Sequence, residues 1–171
     1  MEEAFVALWK NGQFEANSYT SVGDGDVLPE GAVIVSLKRF LAEKDMLASR
    51  NTPVGVVLQP ADKIELLADD LPNLPLLALA FPKFGDGRAF SLARIARERY
   101  GFKGELRAIG DILFDRIAYM IRCGFDVLDI TNAPTVAALE AGKVPISHEH
   151  YQPTGTDKTK SDALKPWRRR A

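Results

Sequence analysis

From residue 32 to about residue 130, short apolar runs alternate with stretches whose apolar positions recur every three or four residues. "AVIVSL" precedes "KRFLAEKDMLASR", where Leu37, Phe40, Leu41, Leu47 and Ala48 share one helical face. "VGVVL" comes next, and Pro60 and Asp62 suit the first turn of a helix that carries Ile64, Leu67, Ala68 and Leu71 at the same spacing. The third unit joins "LPLLALAF" to a helix from Ser91 to Tyr100, closed by Gly101. In the fourth, "GELRAIG" leads into "DILFDRIAYMIRCG", whose Leu113, Ile117, Met120 and Ile121 line one side. "FDVLDI" supplies a fifth strand and "TVAALEAGK" a short last helix. Upstream, two strand-like runs flank Asn11-Gly12, a pair suited to the positive φ angles of a type I′ turn, so residues 4–19 read as a hairpin. Residues 21–31, rich in Gly, Asp and Pro, read as a loop into the main unit.

Strands that are apolar on both faces, each followed by a helix, predict an α/β domain over residues 1–147. The expectation is a mainly parallel sheet of about five strands with helices on both faces, preceded by an N-terminal β-hairpin. Five strands suit an open doubly wound sheet better than a closed barrel of about eight, and a partial barrel stays open as an alternative. Residues 148–171, polar and punctuated by prolines, read as a flexible tail.

Charge narrows the function. Lys plus Arg total 22 against 23 for Asp plus Glu, which argues against a general electrostatic grip on nucleic acid or an anionic membrane, so any basic site is local. The single cysteine, Cys123, excludes an internal disulfide and cannot supply the thiolates of an iron–sulfur cluster. The opening residues lack a signal-peptide pattern, and no apolar run approaches the roughly twenty residues that span a bilayer, so a cytoplasmic protein is expected.

In open α/β sheets, ligands settle outside the carboxyl ends of the strands. By order along the chain, residues 36–39, 59–62, 81–91 and 109–112 reach that edge, and a fifth segment begins at Thr131. The segment "FPKFGDGRAFS" is the longest and most charged: Gly85 and Gly87 permit tight turns, Ser91 is placed to cap the helix, and Lys83 and Arg88 are cations able to hold an anion or a partner. Arg94 and Arg97, three apart, extend that patch. Against this stands a plain turn in which Arg88 pairs with a nearby carboxylate and Glu98 neutralises Arg94. Gly110 and Asp111 end the fourth strand, and Asp86 with Asp111 are the two candidates for acid–base work or for a magnesium ion. A helix cap is the competing role for Asp111.

The remaining groups carry less. Cys123 falls near a helix C-terminus, where a thiol is not activated, and reads as packed and inert. His148 and His150 lack a third metal ligand, and Arg168, Arg169 and Arg170 read as a solvated basic end. The P-loop spacing and the dinucleotide glycine fingerprint are absent, and two histidines near the tail give no Ser–His–Asp arrangement. No cofactor is expected.

"VIVSLKRFLAEKD", "FPKFGDGRAFSLARIARERYGFKGELRAIGDIL" and "MIRCGFDVLDI" closely resemble a bacterial family of uncharacterised proteins, domain of unknown function 934. The resemblance runs from about Ala4 to Ile130 and again at "YQP". It falls on Phe81, Pro82, Lys83, Phe84, Asp86, Gly87, Arg88 and Ser91, and on Gly104 to Ala108 with Gly110 and Asp111. Members of that family are commonly encoded beside assimilatory sulfite reductase and other sulfate-assimilation enzymes. The resemblance therefore implies an accessory protein of sulfate and sulfite reduction, with sulfite reductase or a neighbouring enzyme as partner. An enzyme acting on a small anionic or phosphorylated metabolite is the alternative, with Arg88 as clamp. A third reading is homo-oligomerisation through the hairpin edge, where Trp9 and Phe14 either mark such a contact or, as the favoured alternative, pack on the domain itself.

Overall fold

The structure is a computed structural model that describes residues 7–83 and 85–143. Its strands are β1 (Ala7–Lys10), β2 (Gln13–Glu15), β3 (Tyr19–Ser21), β4 (Ala32–Ser36), β5 (Val54–Leu58), β6 (Leu76–Phe81), β7 (Glu105–Gly110) and β8 (Val127–Ile130). The helices are α1 (Leu37–Ala42), α2 (Lys44–Ala48), α3 (Arg88–Arg94), α4 (Ile117–Cys123) and α5 (Ala133–Glu140). Asn11 and Gly12, at φ 50° and 86°, make the turn between β1 and β2, where an L-residue other than Asn or Gly would be strained.

All eight strands form one mixed sheet in the order β2-β1-β8-β7-β6-β5-β4-β3. This corrects the expectation of about five parallel strands with a separate hairpin. The hairpin belongs to the sheet, with β1 antiparallel to β8 through Trp9 opposite Leu128. A further strand, β3, lies in what reads as hairpin end and loop, and pairs parallel with β4.

The placement of the helices is corrected as well. From β3 to β8 the spatial order follows the chain, and right-handed crossovers taken always in one direction leave the helices on a single face. The core shows this: Val33, Val35, Val56, Leu58, Leu77, Leu79, Leu106, Ala108 and Leu128 pack with helix residues such as Phe40, Leu47, Ala93, Ile117 and Met120. Residues of opposite parity, Ile34, Leu76 and Ala78, form a separate small cluster with Tyr19, Val57 and Ile109, all of them from strands. Trp9 is buried in the main core and Phe14 packs against it, so neither marks an exposed contact.

Chain length fixes the curvature. The edge strands β2 and β3 are consecutive, joined by residues 16–18. Laid flat, eight strands spaced about 4.8 Å apart would separate those edges by about 34 Å. The four steps from Glu15 to Tyr19 reach at most about 14 Å. The sheet is therefore rolled into a half-barrel, with the helix-free face concave.

Three helical units differ from their sequence expectation. The first breaks at Glu43 into α1 and α2, which leaves Leu41 and Ala48 exposed and off the buried face of Leu37, Phe40 and Leu47. The unit after β5 holds only 3₁₀ turns, Ile64–Leu67 and Leu71–Asn73, the second carrying Pro72. The helix after β6 starts at Arg88 rather than Ser91 and passes into a π-helical turn, Ile95–Arg99. Among the described residues no helix is long and apolar enough to cross a membrane. His148, His150, Arg168 to Arg170 and Phe84 lie outside the described residues.

Candidate functional site: the carboxyl edge and the concave face

Pro82 and Lys83 leave the carboxyl end of β6, and beside it Asp111 follows Gly110, the last residue of β7. Phe81 lies opposite Gly110 in the ladder, and the Asp111 N–H donates to the Phe81 carbonyl at 2.9 Å. Gly110 sits at φ +114°, and a Cβ there would lie 2.4 Å from the Phe81 oxygen, so this close approach requires glycine. The role of Gly110 is to bring the two loops together. Beneath them, Phe81 meets Phe90 of α3 edge-on at 5.0 Å, and Phe90 meets Tyr119 of α4 at 4.8 Å. These contacts seat the first turn of α3, and with it Arg88, at the edge.

Arg88 and Asp86 form one unit. The guanidinium donates from Nε to Asp86 Oδ1 at 3.0 Å and from Nη2 to Oδ2 at 2.7 Å, while the Arg88 backbone N–H donates to Oδ1 at 3.1 Å. These side-chain and backbone hydrogen bonds hold the Asp86 carboxyl below the usual carboxylate range, and the same pairing raises Arg88. Asp86 is thus ionised and already engaged, a poor proton carrier. The Arg88 side chain nonetheless stays 63% exposed, which leaves its remaining N–H groups facing solvent. Lys83 is exposed nearby in sequence, and Asp111 is partly buried without a side-chain hydrogen bond or ion pair among the described residues. Ser91 lies exposed within the first turns of α3 and does not cap it, since Gly87 occupies the N-cap position.

The arginine patch divides. Arg94 lies along α3 and pairs with Glu98 at 3.1 Å, four residues on, as the plain alternative expects. Arg97 faces the other end of the sheet. Its Nε donates to the Gly124 carbonyl at 3.0 Å and its Nη1 to the Phe102 and Gly104 carbonyls at 2.7 and 3.0 Å, while Nη2 bonds the Asp126 carboxylate. All four partners precede β7 or β8, so Arg97 ties the amino edge together and belongs to no docking patch with Lys83 and Arg88. Cys123 is buried, and burial pushes its thiol up, as a packed, inert cysteine requires.

The other edge segments are locally satisfied. Ser36 Oγ caps α1 by accepting the Arg39 N–H at 3.0 Å and donates to Asp24, which lies 3.6 Å from the exposed Lys38. Asp62 closes a turn onto the Gln59 N–H, and Asn132 caps α5 at Thr135. Among the described residues, no three His, Cys, Asp or Glu side chains gather in a way that could hold a metal.

Sequence reasoning missed the polar cluster on the concave face. Arg107, only 2% exposed, reaches from β7 to Glu105 at 2.6 and 2.9 Å and to the Asn17 Oδ1 at 2.9 Å, and stacks over Tyr19 at 5.4 Å. Lys10 approaches Glu105 from the hairpin at 3.5 Å. Arg107 thereby fastens the segment between β2 and β3 across the half-barrel. A signal was available in "GELRAIG", where alternation puts Glu105 and Arg107 on one face of an otherwise apolar strand.

Asp129 shares the concave face, opposite Leu8 and Ile109. Burial raises its pKa, with Arg107 pulling the other way. A carboxyl whose folded pKa exceeds its unfolded value lowers stability as pH rises through the window from about 3.8 to the raised value, and not below it. Asp129→Asn is therefore expected to raise the urea midpoint at pH 7, with the gain shrinking toward pH 3. A gain that persists undiminished in acid would contradict burial as its cause.

No curated protein matches this sequence. The model of the family described as "bacterial protein of unknown function (DUF934)" matches residues 55–161, a stretch that starts within β5 and contains β6 to β8, both loops of the carboxyl edge and the Glu105–Arg107 pair. That match covers more than half of the chain, and this protein belongs to that family.

Proposed function

We propose that this protein is an accessory factor of assimilatory sulfate and sulfite reduction, one that docks through its carboxyl edge onto an acidic surface of the sulfite reductase system. The observation that carries this reading is the Asp86–Arg88 pair, whose guanidinium is exposed while its carboxylate is partly buried. Its bidentate geometry fixes the guanidinium plane at the edge while leaving outward-facing donors for a partner's carboxylates. Lys83 adds a second exposed cation to that side of the sheet. The link to sulfite reduction comes from the resemblance to proteins encoded beside the reductase.

A tagged, functional protein should recover the reductase from cells grown on sulfate, and the Lys83→Glu, Arg88→Glu double variant should lose at least about tenfold of that recovery through charge reversal. Equal recovery by both proteins, or none by the unaltered one, would remove the proposal.

A further inference from the structure

At the opposite, amino edge of the sheet lies a cavity of about 330 Å³ between α1, α2 and the entries to β5 and β6. Phe40, Leu47, Val54 and Leu74 form its apolar walls, and Phe40, Leu47 and Leu74 are themselves buried, so the core gives the space its shape. Its size falls at the lower end of small-molecule sites.

The charges of the wall cancel. Among the described residues the lining carries one ammonium and one carboxylate, and Lys44 Nζ lies 2.8 and 2.9 Å from the two Asp70 oxygens. Arg50 stands outside the lining and is spent locally: its Nε donates to Thr52 Oγ1 at 3.2 Å, and its Nη2 to the Pro29 and Gly31 carbonyls at 2.7 and 3.0 Å. An ionised ligand entering here would lose hydration and meet no wall charge that is not already matched.

The polar groups left over are uncharged. The carbonyls of Pro53 and Pro75, two more lining residues, already accept the Val33 and Glu105 N–H groups at 3.1 and 2.9 Å. Thr52 Oγ1 accepts from Arg50, which leaves its O–H to donate. Asn73 also lines the space, and its side-chain amide makes no hydrogen bond among the described residues, so it offers a donor and an acceptor together. The group that complements such an amide is one that both accepts and donates without carrying charge.

We propose that this cavity is a second binding site, separate from the carboxyl edge, for an uncharged small molecule in which an aromatic or branched aliphatic body carries a carboxamide. The body fills the space between Phe40, Leu47, Val54 and Leu74, and the carboxamide exchanges hydrogen bonds with the Asn73 amide. Burial of the body supplies the driving force, and the lack of an unmatched wall charge discriminates against ionised analogues of the same shape.

The test titrates isotope-labelled protein with three compounds of one body, 3-phenylpropionamide, 3-phenylpropionate and 3-phenylpropylamine, and follows the backbone amides by NMR. The carboxamide should shift the amides of Leu47, Ala48, Val54 and Leu74 saturably, with the anion and the cation each at least about tenfold weaker. Ala48 lines the cavity but is exposed, so Ala48→Phe should fill the space without disturbing the fold and abolish binding. Asn73 is exposed as well, and Asn73→Ala should weaken the carboxamide about fivefold or more while leaving the two ions unaffected. The Lys83→Glu, Arg88→Glu protein should bind the carboxamide normally, which keeps this site distinguishable from the docking edge. A carboxamide that moves none of these amides, either ion binding equally well, Ala48→Phe protein that still binds, or Asn73→Ala protein that binds as before would each overturn the proposal.

Discussion

Replacing Arg97 with alanine is expected to destabilise the protein by about 3 kcal/mol, because several buried or partly buried partners lose their donor at once. The side chain is 15% exposed, and it serves three backbone carbonyls and the Asp126 carboxylate, which also accepts the Leu106 N–H. Its guanidinium additionally covers the Phe102 ring at 5.3 Å. Lysine at this position should recover only part of the loss, since one ammonium cannot reproduce a planar fork that reaches both sides of the β7 entry. Urea unfolding reads the effect directly. For a chain of this size the melting temperature should fall by roughly 6–12 °C. A shift below about 2 °C would mean that Arg97 is a solvated surface residue, and that the amino edge is held by something else.

Gly110→Ala is expected to be comparably severe, for a reason that lies in the backbone. The new Cβ would stand 2.4 Å from the Phe81 oxygen and 3.0 Å from its carbonyl carbon, and neither is a flexible side-chain end. Strain at positive φ adds to the clash, so a loss of about 3 kcal/mol or more is anticipated. Gly142 is the control. It also has positive φ, at +74°, but open space around its missing Cβ, so Gly142→Ala should cost only about 1 kcal/mol. Equal effects at the two glycines would show that the close approach of Phe81 and Gly110 does not hold the two loops together.

The strands β4 to β8 were legible because each is a short apolar run, and the loops of the carboxyl edge were legible because they follow from strand order. The layering was not. Ile34, Leu76 and Ala78 face away from every helix and yet are buried, because the curl of the sheet covers its concave side. A strand shielded by curvature has the same apolar pattern as one shielded by helices on both faces, so the pattern reads as doubly wound. The edge strand β3 escaped for a different reason. Tyr19–Ser21 is three residues long and largely exposed, and it forms a strand only because it pairs with β4 across the Gly-rich loop.

Among the candidate site residues, Lys83, Asp86, Arg88, Gly110 and Asp111 do follow the carboxyl ends of adjacent strands. Arg97 does not, because sharing a face with Arg94 presumes about 3.6 residues per turn and the chain changes to a π turn at Ile95. Arg107 went unseen as a structural centre because a charge in a strand invites an exposed reading. Only the folded half-barrel brings Asn17, Tyr19 and Glu105 around it.

The most direct measurement is growth of a strain lacking this gene, complemented with the Lys83→Glu, Arg88→Glu protein at normal abundance and with an unchanged melting temperature. Docking at the carboxyl edge predicts growth on sulfide but failure on sulfate and sulfite, whereas growth like that of the wild type on all three sulfur sources would contradict it.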